Sequence, residues 1–325
     1  MISNHLLTGA FLNANTLVEI IGFPFYCTIK SRESPPTCFR VFAESVGLTR
    51  EEDNVQKRLI LITVSILFLV TASAALAENL VIKGSTTVLP IAQRAIEAYM
   101  AEHPDVRISL SGGGSSNGLR ALIDGSTDIA NASRFIKQKE VEKAVERNIY
   151  PVPFAIAYDS IIPVVHAENS LTDIDLEDLR GIYKGEITNF KEIGGPDLQI
   201  VVTSRDTSSG TYETWETKVM EGDKVNPRAQ VVASNGAVVQ AVSNNKHCIG
   251  YIGIGYVDSS IKPLKVEGIE GTEKTTLDGS YPISRPLFMF TNGWPQGASL
   301  DFINFMLSPE KGQNHVKDSG YVRLY

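Results

Sequence analysis

Four times along this sequence, a segment of strand character ends in a cluster of small and hydroxyl residues that leads directly into a helical segment. In the first two units, strands at residues 80–83 and 106–111 precede helices at residues 88–102 and 117–124. Apolar residues recur at helical spacing through the first of these helices, so one of its faces can pack against a sheet. Strand and helix in alternation predict an α/β fold with a largely parallel sheet.

The pattern continues through the C-terminal half. Residues 151–165 form a long β-rich run, 201–203 and 249–254 are apolar strands, 267–280 is turn-like, and 299–307 is an amphipathic helix. A length of 325 residues with 43% hydrophobic content suits one large or two ordinary domains. The net charge of −7, without a long Lys/Arg run, excludes sequence-independent nucleic-acid binding. Local dipoles and one or two arginines can still hold a small anion.

A candidate export signal begins with the basic pair at residues 57–58. An apolar run, residues 59–70, follows it and leads to an Ala-Leu-Ala sequence that ends at Ala77. These features are typical of a signal peptide at residues 55–77 that is cleaved after Ala77. No cysteine follows the apolar run to accept a lipid, so we expect a periplasmic product. The alternative is an uncleaved signal anchor.

Residues 1–54 precede this signal, although a signal peptide ordinarily stands at the N-terminus of a chain. They contain Cys27 and Cys38 but no sustained helical or strand periodicity. Our interpretation is that translation starts near Val55 and that residues 1–54 are a mis-assigned or disordered extension. The mature chain then keeps only Cys248, which excludes an internal disulfide, and no second ligand pair has zinc-like spacing.

The junctions between strand and helix carry the chemistry that this sequence offers. They are GSTT at 84–87, GGGSSNG at 112–118, SRDTSSGT at 204–211 and SNGA at 234–237. Such junctions direct unpaired backbone N–H groups and the positive end of a helix dipole beyond the strand, which favours an anion. Each hydroxyl residue could instead cap only its own helix. The three glycines before Ser115 exceed what a cap needs, however, and Arg205 adds donors suited to a tetrahedral oxyanion.

Nucleotide-binding and hydrolytic motifs do not fit these junctions. A dinucleotide fingerprint that starts at Gly112 needs a glycine where Asn117 stands, and a P-loop needs a lysine after Gly118, where Leu119 stands. No Gly-x-Ser-x-Gly sequence surrounds Ser209, and no histidine lies in a motif that indicates a general base. We therefore expect a binding protein without cofactor or metal, and not an enzyme.

Short motifs follow one another in a specific order along the mature chain. They are GSTTVxP at 84–90, SGGGSSxG at 111–118, DIANASR at 128–134, SRxxSSGT at 204–211, SNGAVV at 234–239, IGYIG at 249–253 and SRPL at 284–287. In these motifs the chain resembles the phosphate-binding proteins of bacterial phosphate ABC transporters, which have the periplasmic type II binding-protein fold. The resemblance implies two lobes, each a mainly parallel sheet flanked by helices, with the ligand in the cleft between them. It places residues 78–160 plus 257–325 in the first lobe and 161–256 in the second.

The same resemblance implies which residues contact phosphate. They are the hydroxyl, glycine and arginine residues Thr86, Thr87, Ser115, Ser133, Arg134, Arg205, Ser209, Gly210 and Thr211, to which we add Ser116 beside Ser115. Closure of the lobes around the ligand would be a hinge motion, and it would give a permease a closed form to recognise.

The sequence departs from the pattern of the family at two positions. Well-studied members have Asp where this chain has Arg134. That carboxylate accepts a proton from phosphate, which lets the site reject unprotonated sulfate. A second family Asp falls at Thr207. We expect Asp206 or Asp159 to supply the acceptor, and the alternative is that both are solvated loop carboxylates.

The sequence thus predicts an exported, monomeric protein that binds inorganic phosphate and delivers it to the permease subunits of an ABC transporter. One alternative is a protein of the same fold that binds sulfate, molybdate or tungstate. A membrane-anchored phosphate sensor would need the apolar run to remain uncleaved. A phosphatase would need a nucleophile with a base or metal ligands, and the sequence shows neither.

Overall fold

The structure is a computed structural model that describes residues 78–325. The predicted extension at residues 1–54 and the predicted signal peptide at residues 55–77 lie outside the described residues. Within residues 78–325, strands and helices alternate along the chain, as the sequence pattern predicts. No helix in this range combines the length and the apolar character of a bilayer-spanning segment.

Strands and helices are numbered in chain order. The strands are β1 (Glu78–Gly84), β2 (Val106–Ser111), β3 (Ile129–Ala132), β4 (Pro151–His166), β5 (Asp173–Ile174), β6 (Val201–Arg205), β7 (Gln230–Val232), β8 (Cys248–Gly253), β9 (Ile261–Pro263), β10 (Lys265–Val266) and β11 (Ser284–Asn292). The helices are α1 (Leu89–Glu102), α2 (Ser115–Ile123), α3 (Gln138–Glu146), α4 (Leu176–Lys184), α5 (Gly210–Lys218), α6 (Asn235–Ser243), α7 (Glu273–Leu277), α8 (Gly297–Leu307) and α9 (Gly312–Asp318).

One strand, β4, connects the two halves of the main sheet. The sheet has the order β2-β1-β3-β11-β4-β8-β6-β7, and β9 also pairs with β4. Residues 151–160 of β4 pair with β11, whereas residues 161–165 pair with β8. A small second sheet pairs β5 with β10. Because β4 is 16 residues long, this single strand belongs to both halves.

The main sheet is mixed, whereas the sequence predicts a largely parallel one. Strand β1 runs parallel to β2 and β3, and β6 runs parallel to β7 and β8, as strand–helix alternation predicts. The central strands β4 and β11 are antiparallel to each other and to their outer neighbours. The path of the chain explains this: β4 leads out of the first half and β11 leads back, so the two run in opposite directions.

Apolar cores pack on the two halves of the sheet, so the protein has two lobes. The first core joins α1 and α8 to β1, β3 and β11, and a smaller cluster lies between α2 and β3. The second core surrounds β4, β6 and β8 and includes Trp215 and Tyr251. The predicted bounds of the lobes remain a prediction. Because Ile261 and Ile283 belong to the second core, the packing favours a second crossover near Ser284 and not near residue 257.

Two predicted segments differ from the structure in detail. The turn-like segment 267–280 contains the short helix α7, which starts after Thr272, whose hydroxyl accepts a hydrogen bond from the backbone N–H of Thr275. Helix α2 begins at Ser115, two residues before its predicted start. It packs closely on β1, since a Cβ atom on Gly118 would lie 2.6 Å from the Cα of Gly84. This packing fixes the first turn of α2 beside the end of β1.

Candidate anion-binding site

The junctions after β1, β2, β3 and β6 meet between the two lobes. The hydroxyls of Thr87, after β1, and Thr211, on α5, are 2.9 Å apart. The hydroxyls of Ser115, at the start of α2, and Ser133, after β3, are 3.2 Å apart. The junctions therefore converge on one cleft, as the sequence predicts, because strands that run in parallel end at the same edge of a sheet.

At Gly210 the two lobes approach too closely to admit a side chain. A Cβ atom on Gly210 would lie 2.4 Å from the hydroxyl of Ser115 and 2.7 Å from that of Ser133. Gly210 is the first residue of α5, and the hydroxyl of Ser209 before it accepts a hydrogen bond from the backbone N–H of Tyr212. The N-termini of α2 and α5 thus lie side by side, and both favour negative charge.

Arg205 ends β6 and brings a positive charge into this cleft. The residue is only 2% exposed. Its Nε and Nη2 donate to the backbone carbonyls of Val232 (3.3 Å) and Ala233 (2.9 Å), and Nη2 also donates to the hydroxyl of Thr86 at 3.3 Å. The third nitrogen, Nη1, has no hydrogen-bond partner within residues 78–325.

Within residues 78–325, no ion pair balances the charge of Arg205. None of the ion pairs formed within the described part of the chain includes Arg205. Burial lowers the pKa of Arg205 from its ordinary value, yet an arginine stays protonated in proteins. The cleft therefore holds a buried cation together with several hydroxyl groups, which is an arrangement suited to an anion.

Asn235 connects the threonines of the first lobe to the second lobe. It is fully buried at the start of α6. Its Nδ2 donates to the hydroxyls of Thr86 (3.3 Å) and Thr87 (3.1 Å), and its Oδ1 accepts from the backbone N–H of Gly253. The sequence predicts the junction at 234–237 but not the role of Asn235. The position of Asn235 directly after the helix cap Ser234 could have indicated that its side chain lies at the cleft.

A buried ion pair between Arg285 and Asp159 supports the hydroxyls of the cleft. Nε and Nη2 of Arg285 donate to Oδ2 of Asp159 at 2.9 and 2.8 Å, and Nη2 also donates to the hydroxyl of Thr211 at 2.9 Å. Burial raises the pKa of Asp159, while Arg285 and the backbone N–H of Ile254 act to lower it. The sequence shows Arg285 only as part of the motif at 284–287. Its charge beside the apolar residues 286–290 of β11 indicates a buried partner.

Asp206 and Asp159 were expected to accept a proton from the ligand, but both carboxylates already have other partners. Asp206 accepts hydrogen bonds from the backbone N–H and the hydroxyl of Ser208, so it stabilises its own turn. Asp159 is held by Arg285. These contacts weigh against both residues as acceptors, whereas threonine hydroxyls can donate and accept. No group of three or more His, Cys, Asp and Glu residues between positions 78 and 325 is arranged to hold a metal ion.

The remaining predicted residues, Ser116 and Arg134, have carboxylate partners. The hydroxyl of Ser116 donates to Glu213 at 2.8 Å. The guanidinium of Arg134 contacts Glu213 at 2.5 Å and Glu140 at 2.7 Å. The other predicted residues lie together around the cleft, but a contact of Ser116 or Arg134 with a ligand stays a prediction.

A two-lobed α/β protein with a donor-lined cleft belongs to the class of solute-binding proteins, and comparisons with known proteins agree. Residues 69–310 match the model of the PBP superfamily domain. The phosphate-binding protein PstS from Staphylococcus aureus (strain USA300) is 35% identical over 253 residues, which cover 74% of this chain and 76% of the relative. The chain therefore belongs to the PBP superfamily and, within it, to the family of the phosphate-binding proteins PstS.

Solved structures of similar proteins share this fold. One is assigned as a phosphate ABC transporter substrate-binding protein from Clostridium perfringens and was solved with bound phosphate. It has 34% identity and a TM-score of 0.71, and the match covers 76% of this chain and 100% of that one. An ABC-type phosphate transport receptor from Vibrio cholerae has 33% identity and a TM-score of 0.62, with 75% and 99% covered.

Proposed function

We propose that this protein binds inorganic phosphate in the cleft between its lobes and delivers it to an ABC transporter. The observation that carries the proposal is Arg205, a buried cation with one nitrogen free of hydrogen bonds and no ion pair within residues 78–325. A buried charge is costly unless an opposite charge compensates it. A tetrahedral oxyanion matches the fork of a guanidinium and would provide that compensation. The phosphate-binding relatives support this choice of anion.

The groups around Arg205 would hold the anion almost entirely through donors. They are the hydroxyls of Thr86, Thr87, Ser115, Ser133 and Thr211, the arginine itself, and the backbone N–H groups at the starts of α2 and α5. Closure of the lobes would remove water from these groups and strengthen each charge-assisted hydrogen bond. The hydroxyls would also accept the proton of hydrogen phosphate, since each of them can act in both roles.

The cellular part of the proposal concerns export and delivery. The protein is made with a signal peptide at residues 55–77, is cleaved after Ala77, acts as a monomer in the periplasm, and passes phosphate to permease subunits without catalysing a reaction. N-terminal sequencing of the exported protein is expected to begin at Glu78. A mature chain that retains residues 1–54 would contradict this part.

Isothermal titration calorimetry with the purified protein tests the ligand. We expect phosphate to bind with a Kd of about 1 μM or lower, which corresponds to about −8 kcal/mol. Sulfate should bind at least about tenfold more weakly, because it has no proton at neutral pH to donate to a hydroxyl of the site. A protein that releases heat with none of the oxyanions would contradict the proposal.

Binding of another oxyanion is the second candidate function. It is favoured by Arg134 in the position of the family's Asp and by the engagement of Asp159 and Asp206 with other partners. Under this alternative, sulfate, molybdate or tungstate binds as tightly as phosphate or more tightly. The same calorimetric series therefore separates the two functions.

A further inference from the structure

A cluster of charged residues joins the two lobes beside the cleft. Glu213 lies on α5 in the second lobe and is 8% exposed. Its Oε2 is 2.5 Å from Nε of Arg134 and 2.7 Å from Nζ of Lys137, and its Oε1 accepts from the hydroxyl of Ser116 at 2.8 Å. These three partners follow β3 or lie in α2, so they belong to the first lobe. Glu213 therefore connects the lobes through three first-lobe side chains.

Four of the five N–H groups of the Arg134 guanidinium donate hydrogen bonds, and the fifth, on Nε, faces Glu213 in an ion pair without hydrogen-bond geometry. Besides the Nε contact with Glu213, Nη1 and Nη2 form a bidentate pair with the two carboxylate oxygens of Glu140, at 2.8 and 2.7 Å. Nη1 also donates to the carbonyl of Phe135, and Nη2 to the hydroxyl of Ser116, both at 2.9 Å. An arginine offers five N–H donors in total. Nη1 and Nη2 thus have no N–H left for an anion, and the N–H of Nε faces the carboxylate of Glu213.

The ionisation of Arg134 and Glu140 is favoured by their contacts within this cluster. Burial acts to lower the pKa of Arg134, but hydrogen bonds and charges from Glu140 and Glu213 raise it above its ordinary value. Burial acts to raise the pKa of Glu140, but Arg134 and the backbone N–H of Lys137 lower it. Two cations and two carboxylates cancel, so the cluster adds no net charge to a cleft whose positive charge comes from Arg205.

We infer that Arg134 is a positioning residue and not a ligand of the anion: with Glu213 it forms a latch that holds the lobes closed over the bound phosphate. This inference rests on the proposed phosphate-binding function. Glu140 orients Arg134 from within the first lobe, so the guanidinium is in place before Glu213 reaches it. The same position that contacts phosphate as Asp in well-studied relatives therefore acts here through the conformation of the protein.

The latch stabilises only the closed form. When the lobes separate, the contact between Arg134 and Glu213 breaks and both side chains are solvated. Their attraction therefore contributes nothing to the stability of the open form. A ligand that binds only the closed form binds more weakly when the fraction of protein in the closed form falls, and its apparent affinity falls in the same proportion. Loss of the latch is therefore expected to weaken phosphate binding, although every donor to the anion remains in place.

Calorimetry with inorganic phosphate on Arg134→Met, Glu213→Gln and the double variant tests the latch. We expect each single variant to weaken binding by about tenfold, within the usual range of coupling between sites. We expect the double variant to be no weaker than Glu213→Gln, because both changes remove the same contact. The dissociation rate of phosphate should rise in the same proportion, with little change in the association rate.

Other substitutions separate the latch from general effects of charge. The pair of Arg180 with Glu221 lies within the second lobe at the same 2.5 Å distance, and Arg180→Met with Glu221→Gln should leave phosphate affinity unchanged. Lys137→Met removes only the more exposed partner of Glu213 and should weaken binding by about threefold or less. This mild variant keeps the test valid if a buried substitution prevents folding.

The outcomes distinguish the latch from the proposed function. If Arg134 is a direct ligand, Arg134→Met weakens binding, whereas Glu213→Gln leaves it unchanged or strengthens it by releasing the guanidinium. That result would overturn the latch and keep the proposed function. Additive losses in the double variant would also count against the latch. A wild-type protein that does not bind phosphate would overturn the proposed function and the latch with it.

Discussion

Replacement of Arg205 by methionine is expected to weaken phosphate binding by about a thousandfold. Truncation of one member of a buried, hydrogen-bonded charge pair commonly costs 2–5 kcal/mol, or about 30- to 5000-fold in affinity. The cost of Arg205→Met is expected in the upper part of this range, because Arg205 is 2% exposed and has no ion pair within residues 78–325. No other charge in the described part of the cleft would replace it, since the guanidinium of Arg285 is already paired with Asp159.

The same substitution should lower the stability of the ligand-free protein by less than Arg285→Met does. It removes a desolvated cation without a counter-charge, which offsets the loss of the hydrogen bonds that Arg205 donates to the carbonyls of Val232 and Ala233. Arg147→Met is the matched control, because Arg147 is an exposed arginine whose partner Asp124 is also exposed. Calorimetry and thermal unfolding of both variants provide the measurement. Phosphate affinity within about threefold of wild type in Arg205→Met would refute the role of Arg205.

Replacement of Arg285 by methionine is expected to lower the free energy of unfolding by about 3–5 kcal/mol, because it leaves a buried carboxylate without its cation. Asp159 is 0% exposed and receives two hydrogen bonds from Arg285. The hydroxyl of Thr211 and the carbonyl of Gly210 also lose a donor. The control Arg147→Met should cost less than about 1 kcal/mol, since its ion pair is exposed.

The loss of stability in Arg285→Met should grow with pH. Burial already raises the pKa of Asp159 in the folded protein, and Arg285 opposes that rise, so the variant has a still higher folded pKa. Stability linked to a raised carboxyl pKa is complete below the unfolded value of about 3.9 and is lost as the pH rises through the folded pKa. Urea unfolding at about pH 5 and about pH 8 measures the effect. A difference from wild type that is equal at both pH values would disprove the linkage.

Local patterns predicted part of the fold. Strand–helix alternation and helical spacing of apolar residues depend on burial of one face, and this rule placed α1, β2, β4 and α8 close to their observed bounds. It gave no bounds for β3, β11, α3 or α4. The mixed direction of the main sheet was not available from such patterns. Antiparallel pairing of β11 with β3 and β4 joins residues that are more than a hundred positions apart. No local pattern in the sequence of β11 indicates which strands it pairs with.

Local chemistry predicted which junction residues lie at the cleft, but it did not predict the tertiary contacts around them. Glycine, serine and threonine at strand–helix junctions identified Thr87, Ser115 and Gly210, because helix N-termini have unpaired N–H groups wherever they occur. Asn235 acquires its role only through Thr86 and Thr87 of the other lobe. The carboxylates that engage Arg134 lie on two different helices, so its sequence neighbours could not indicate where its guanidinium points.

The two lobes differ in how their cores are distributed along the chain, which has a consequence for folding order. The second core draws on residues 161–283, whereas the first core and its small neighbour join residues 80–157 to residues 287–321. Contacts between distant segments form slowly, because the intervening loop must close first. The second lobe can therefore fold without β11, and the first lobe cannot. A partly folded chain cannot capture an anion, since the cleft is completed only after β11 has joined the sheet.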